Sequence, residues 1–167
     1  MSFIRNSRNT PVTILAQGDV SFVGGSLILV ANNNIPGPGG FYGGGANRPG
    51  FGPGGGISPG AAGRWVGPLN LVPLIGGSGG AGNGSTQGGG GGGAIVIASS
   101  TAITMVSSFI NAQGDNNSVG GAGSGGAIRL VANSIIVSQG SSFSACGPGG
   151  VSTCGVVRLE ATNLTFA

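Results

Sequence analysis

Apolar and polar residues alternate with a period of two in several short stretches of the chain. Residues 11–16 read PVTILA, and shorter stretches follow at residues 20–23 and 26–31, separated by Gly18-Asp19 and Gly24-Gly25. A period of two predicts β-strands with one face turned inward. Strands joined by turns this short predict a coil of a parallel β-helix, in which each strand pairs with its equivalent in the next coil.

A glycine-to-strand junction then recurs three times. It reads GGGGGGAIVIASS at residues 88–100, GGAIRLVAN at residues 125–133 and GVVRLEAT at residues 155–162. Two further strand-like stretches follow each of the first two junctions, and one, NLTFA, follows the third. The sequence therefore predicts an all-β fold, a short parallel β-helix of about three to four coils, within a single domain of residues 1–167.

Alignment of the repeats predicts which residues stack on one another. The predicted inward stack is Ile14, Ile97, Leu130 and Leu159, and the adjacent outward stack is Thr13, Val96, Arg129 and Arg158. Strands lie about 4.8 Å apart, so the two arginines would repel each other. Glu160 lies two residues beyond Arg158 on the same outward face, and we expect it to offset that repulsion.

Residues 32–93 form a long glycine-rich and proline-rich insertion after the first coil. One interpretation is a flexible low-complexity loop. The other is an ordered layer of polyproline II or polyglycine II chains, in which glycine allows close approach. Aromatic residues are unusual in a solvated linker, and those at Phe41, Tyr42, Phe51 and Trp65 favour the ordered interpretation.

Composition narrows the classes of function. The chain has 40 glycines in 167 residues, is 39% hydrophobic and only 5% charged, which is unlike an intrinsically disordered protein. The net charge of +3 comes from arginines that are too scattered to predict nucleic-acid binding. The longest apolar run, residues 27–31, is far too short to predict a membrane span.

The residues of catalytic and metal sites are scarce. Polysaccharide lyases and pectin-degrading hydrolases often use such a scaffold, but they need converging carboxylates, and only Asp19, Asp115 and Glu160 occur here, at unrelated places in the repeats. The chain has no histidine, and every glycine tract precedes a strand and not a helix. We therefore predict a non-enzymatic protein without catalytic residues, cofactor or metal.

Two kinds of covalent modification are candidates. Cys146 and Cys154 enclose a short glycine- and proline-containing loop. They would form a disulfide in an oxidising, extracellular setting or remain as two free thiols. Asn83, Asn116 and Asn163 each begin an N-glycosylation triplet, a pattern that also arises by chance in such a composition.

Several stretches carry a resemblance to a known group of proteins. They are RNTPVTILAQGDVSF, LVPLIGGSGG, the polyglycine run into AIVIASS, INAQGDNN and GGAGSGGAIRLVAN. Together they resemble glycine-rich bacterial exoproteins, most of them uncharacterised, whose sequences imply short right-handed parallel β-helices. The composition alone has a more distant similarity to phage tail-tip adhesins built from polyglycine II helices.

Open ends are the basis of the functional prediction. Three to four coils would expose strand edges at both ends, and neither the arm of residues 2–9 nor the apolar residues 164–167 resemble a cap. We predict an extracellular or cell-surface structural protein, a homo-oligomer or homopolymer whose subunits stack end to end or exchange the N-terminal arm into a filament or surface layer.

The alternative prediction is an adhesin or carbohydrate-binding module. Its candidate contact residues are Phe41, Tyr42, Phe51, Arg64 and Trp65, and its candidate partner is a cell-surface polysaccharide.

Overall fold

The computed structural model describes residues 1–116, 119–147 and 153–167, and these contain nine strands. Most of them coincide with the stretches of alternating apolar and polar residues, because alternate side chains of a strand point to opposite faces. The strands are β1 (Val12–Ala16), β2 (Val20–Val23), β3 (Ser26–Ile28), β4 (Ala94–Ser99), β5 (Ala102–Val106), β6 (Phe109–Asn111), β7 (Ala127–Val137), β8 (Ser142–Ser144) and β9 (Val156–Phe166).

The strands form two sheets in which the named pairs are all parallel. In the large sheet, β1 pairs with β4 and β2 pairs with β5, and β4 and β5 both pair with one side of the long strand β7. The other side of β7 pairs with β9. In the small sheet, the order is β3, β6 and β8. The large sheet is curved into a half-barrel, and the small sheet is separate from it.

The predicted right-handed β-helix of three to four coils is wrong. The prediction assumed three separate strands in each full coil, but residues 127–137 continue as one strand through Asn133 and Ser134. Because β7 pairs with both β4 and β5, the first and second strands of the predicted coils lie in one curved sheet and not in two separate sheets. β9 repeats this continuous strand beside β7.

The predicted alignment of side chains between strands is confirmed. Ile14 pairs with Ile97, Ile97 with Leu130, and Leu130 with Leu159. Ile97 and Leu130 are fully buried in the main apolar core, which lies between the two sheets. Residues of all nine strands contribute to or pack against this core. Its buried members are Leu27, Leu29, Ile95, Ile97, Ile103, Met105, Ile110, Ala112, Ile128, Leu130, Ala132, Ile135, Val137 and Ala145.

The glycine-rich residues outside the sheets are held by hydrogen bonds between extended backbone segments. In residues 76–82, the N–H groups of Gly77 and Gly80 donate to Gly92 and Gly89 of one neighbouring segment. The N–H groups between and beside them donate to other segments, among them Gly79 to Phe51 and Ala81 to Ala61. Bonding to a given neighbour thus recurs every three residues, which is the period of a polyproline II chain.

Glycine is required where these segments touch. A Cβ at Gly80 would overlap the carbonyl oxygen of Gly121, and a Cβ at Gly91 would overlap that of Gly77. The overlapping atoms belong to the backbone and not to the end of a flexible side chain, and both glycines are buried, so the clash could not be relieved easily. The absence of side chains therefore sets the spacing between segments.

Candidate functional site: two open sheet edges

The outer edge of β9 is one side of the large sheet, and no described strand pairs with it. Its backbone N–H and C=O groups on that side can pair with another strand. The side chains aligned with the buried residues of β7 remain accessible: Val157 is 39% exposed, Leu164 46% and Phe166 66%. The apolar core is therefore uncovered along this edge.

The opposite edge of the large sheet is formed by β1 and β2. Val12, Ile14, Val20 and Phe22 align with buried residues of β4 and β5 and pack against the core. All four are only half-buried, because no described strand lies beyond β1 and β2. Both edges of the large sheet thus expose the ends of the same apolar columns.

The small sheet differs at its first edge, which is covered by the chain's own N-terminal residues. The N–H of Phe3 donates to the carbonyl of Ile28 at 2.8 Å, and the N–H of Ile28 donates to the carbonyl of Met1 at 2.9 Å. From here on, the arm means residues 1–3 alone, a different range from the predicted arm of residues 2–9. It continues the small sheet by one strand, parallel to β3.

An ionic cluster lies on the outward face of β7 and β9. The Nε of Arg129 donates to Oε1 of Glu160 at 2.6 Å and its Nη2 to Oε2 at 3.3 Å, while the Nε of Arg158 donates to Oε1 at 2.8 Å. The hydrogen bonds from Arg129 and then Arg158 lower the pKa of Glu160 from 4.5 to about 2, and the bond to Glu160 raises the pKa of Arg129. Glu160 therefore separates the two aligned arginines, as predicted.

The other two acidic residues have different surroundings. Asp19 accepts a hydrogen bond from the hydroxyl of Thr101. Burial raises the pKa of Asp115, and a hydrogen bond from the backbone of Asn33 opposes that rise. Within the described residues, no group of three or more His, Cys, Asp or Glu side chains could hold a metal ion.

The residues predicted for an adhesin surface have separate partners. The guanidinium of Arg5 lies over the ring of Tyr42, 4.9 Å from its centroid. Trp65 is half-buried against Leu71 and donates from Nε1 to the carbonyl of Ile75 at 3.4 Å. Phe41 is half-buried beside Gly52.

Two other members of that predicted surface are accessible. Phe51 is 61% exposed, and Arg64 is exposed in a shallow groove with Ile57 and Val66. The sequence did not indicate Ile57, which is 86% exposed, because a single apolar residue in a glycine-rich stretch carries no pattern. Contact with a partner through these residues stays a prediction.

Cys146 and Cys154 form a disulfide. An antiparallel bridge joins the same two residues, and the N–H of Gly155 donates to the carbonyl of Ala145 at 2.6 Å. The bond therefore ties the end of the small sheet to the start of β9. A disulfide is compatible with a non-reducing environment.

The three candidate glycosylation residues are exposed. Asn83 donates from Nδ2 to the carbonyl of Val119 at 3.3 Å, and Asn163 lies in β9. Asn116 is described, but Asn117 and Ser118, which complete its triplet, lie outside the described residues. Glycosylation of any of them stays a prediction.

Comparison with other proteins gives no assignment. No protein-family model matches the chain, and searches of curated proteins and of solved structures find no match either. The described residues contain no helix that is long and apolar enough to cross a membrane.

Proposed function

We propose that the protein is a non-enzymatic structural subunit that assembles head to tail with copies of itself through the two edges of its large sheet. The edge of β9 in one copy would pair with the edge formed by β1 and β2 in the next. The observation that supports the proposal is the match between the apolar residues that these edges leave uncovered.

The match follows from the strand register. The inward residues of β9 are Val157, Leu159, Ala161, Leu164 and Phe166, and those of β1 and β2 are Val12, Ile14, Ala16, Val20 and Phe22. Taken in order, each pair joins similar side chains: valine with valine, leucine with isoleucine, alanine with alanine, leucine with valine and phenylalanine with phenylalanine. A head-to-tail contact would continue the apolar columns of the large sheet into the next copy.

Backbone geometry supports the same contact. The long strand β7 already pairs with two consecutive shorter strands, β4 and β5. β9 has the length of β7, and β1 and β2 align residue by residue with β4 and β5. Pairing of β9 with β1 and β2 would therefore repeat a combination found within the chain. A repeated head-to-tail contact that does not close into a ring produces a filament.

Extracellular assembly is the setting we propose. The Cys146–Cys154 disulfide supports it, because such bonds persist mainly in oxidising compartments. A non-enzymatic role is supported by the chemistry of the acidic residues, since the chain has no histidine and Glu160 is neutralised by two arginines.

The test is a charge placed on the open end of the core. Lysines replacing Leu164 and Phe166 would put two ammonium groups where the next copy must dock, which is a recognised means of blocking sheet edges. Thr165→Lys controls for a lysine on this strand, because Thr165 lies between them and faces outward; it is matched in charge to the single blocking variant Val157→Lys.

We expect the wild type and Thr165→Lys to form particles that grow with concentration in sedimentation velocity and appear as filaments in negative-stain electron microscopy. The double variant should remain monomeric. Circular dichroism shows whether the double variant is folded, and Val157→Lys on the same edge provides a second blocking variant. A wild type that is monomeric at every concentration contradicts the proposal.

A surface-binding module is the second candidate, favoured by the exposure of Phe51, Ile57 and Arg64 on the glycine-rich segments. Phe51→Ala tests it with little risk to the fold, because most of that ring contacts solvent. Binding of the wild type to a polysaccharide, lost in Phe51→Ala while assembly is unchanged, would support this role over a purely structural one.

A further inference from the structure

The two sheets do not end together. At one end of the molecule the small sheet extends one strand further than the large sheet, and at the other end the large sheet extends one strand further than the small sheet. In chain order, β3 follows β1 and β2, β6 follows β4 and β5, and β8 follows β7. At one end, the arm extends the small sheet one strand beyond β1 and β2 of the large sheet. At the other end, β9 extends the large sheet one strand beyond β8 of the small sheet.

We propose that the arm of one copy fills the place beside β8 of the preceding copy. This inference rests on the proposed function, since it specifies how the head-to-tail contact is completed. When β9 of one copy pairs with β1 and β2 of the next, the small sheets are left with a gap one strand wide between β8 and the next β3. The arm already occupies that position beside its own β3.

The arm is fixed in this position before any contact forms. The amino group of Met1 donates to the carbonyl of Ser26 at 2.6 Å, in addition to the two bonds between the arm and Ile28. The chain following the arm is anchored to the glycine-rich region, where the side chain of Asn9 bonds the backbone of Gly39 and Gly40. Docking would therefore need little ordering of the arm.

Backbone groups are available on both sides of the gap. Ile28 bonds to Met1 and Phe3, so the N–H and C=O of Ser2, between them, point away from β3. On β8, Ser142 and Ser144 bond to β6 through Ser108 and Ala112, so the N–H and C=O of Phe143 point away from β6. No strand pairs with that side of β8 within the described residues.

The side chains of the arm and of β8 also fit the proposed contact. Ser2 aligns with Ile28, which places Met1 beside Leu27 and Phe3 beside Leu29. Across the gap, the same two columns end at Phe143 and Ala145. The arm would place Met1 against Phe143 and the large ring of Phe3 against the small side chain of Ala145. Phe3 packs against the core, and Phe143 is half-buried at its open end.

A disulfide cross-link tests the arm directly. Ser2, Ile28, Asn111 and Ser144 occupy one outward column, so Ser144 of one copy would be the neighbour of Ser2 in the next. Within one copy, three strand spacings separate these residues, about 14 Å. A disulfide needs Cα atoms within about 7 Å, so Ser2→Cys and Ser144→Cys can be joined only between copies.

The double cysteine variant is assembled, oxidised and separated on a non-reducing gel. Peptide mapping by mass spectrometry then distinguishes the new bond from the native Cys146–Cys154 bond. The matched control combines Ser2→Cys with Ser142→Cys, which lies two residues out of register on the same face. Each single variant controls for bonds between identical residues.

We expect a ladder of covalent multimers containing the 2–144 bond, at least tenfold more abundant than in the register control. Assembly without that bond, or with equal cross-linking of the control, overturns the placement of the arm and leaves the proposed function standing. Absence of assembly in the wild type overturns the proposed function and this inference together.

Discussion

Glu160 accepts hydrogen bonds from two nitrogens of Arg129 on the neighbouring strand, one to each carboxylate oxygen. The pair spans β7 and β9 and gives the outermost strand of the large sheet an ionic attachment beside its backbone bonds. The strength of this ion pair depends on the ionisation of Glu160, so its contribution to stability can be measured by varying the pH.

The first prediction concerns pH. The pKa of Glu160 is about 2 in the folded protein and 4.5 when unperturbed, so the native state favours the ionised form. The added stability is fully present above pH 4.5 and decreases as the pH falls toward 2. Glu160→Gln should flatten this part of a curve of melting temperature against pH, and near neutral pH it should cost about 1 kcal/mol. Parallel curves for the variant and the wild type would contradict the prediction.

The second prediction concerns glycine packing. Gly91→Ala places a methyl group on the carbonyl oxygen of Gly77, and both backbones are buried, so we expect a loss of at least about 2 kcal/mol in the free energy of unfolding. Gly18→Ala is the control, because nothing lies within 4 Å of its Cβ position. We expect a change below about 0.5 kcal/mol there. Urea denaturation followed by circular dichroism measures both, and equal effects would contradict the prediction.

The third prediction concerns the disulfide. Cys146 and Cys154 are eight residues apart, and a loop of this size is expected to contribute about 2–3 kcal/mol through restriction of the unfolded chain. Reduction should therefore lower the melting temperature of the wild type. A variant with serine at both positions should melt at the lower temperature with or without reductant. If reductant does not change the melting temperature of the wild type, the disulfide does not contribute to its stability.

The fourth prediction separates packing from binding among the aromatic residues. Trp65 packs against Leu71 together with Ala94 and Ala127, so Trp65→Ala should destabilise the protein by about 2–3 kcal/mol. Phe51→Ala should change stability by less than about 0.5 kcal/mol, because Phe51 is 61% exposed. Thermal unfolding of both variants checks this. Equal losses would mean that Phe51 is also a packing residue, and binding assays on Phe51→Ala could then not be interpreted simply.

The sequence predicts the strands and their alignment well, because period-two alternation reports directly on which side chains face the core. It does not predict that the first and second strands of a repeat join into one long strand, as they do in β7. The stretches that become β4 and β5 are separated by Ser100 and Thr101, whereas Asn133 and Ser134 lie within β7. All four residues are polar and can occur in a turn or at the surface of a strand. Only pairing with neighbouring strands decides between the two.

The candidate site is predictable in part. The strands at the two open edges of the large sheet, β1 with β2 and β9, belong to the first and last of the aligned stretches that the sequence predicts. The pairing of the arm with β3 does not follow, because residues 1–3 are too few to show a period. The bonding partners of the glycine-rich segments are likewise hidden, since residues without side chains carry no pattern of inward and outward positions.

The hydrogen-bonded glycine segments also constrain the order of folding. Each extended segment bonds to others far away in the chain, such as Gly37 to Gly91 and Ser124 to Ser78, so no segment gains much before its distant neighbours arrive. Glycine also loses more backbone freedom on ordering than any other residue. The sheets also depend on distant partners, but they gain from the burial of apolar side chains, so we expect them to become ordered first and to act as the template for the glycine segments. Backbone amides of the glycine segments should then exchange with solvent faster than those of β4, β5 and β7.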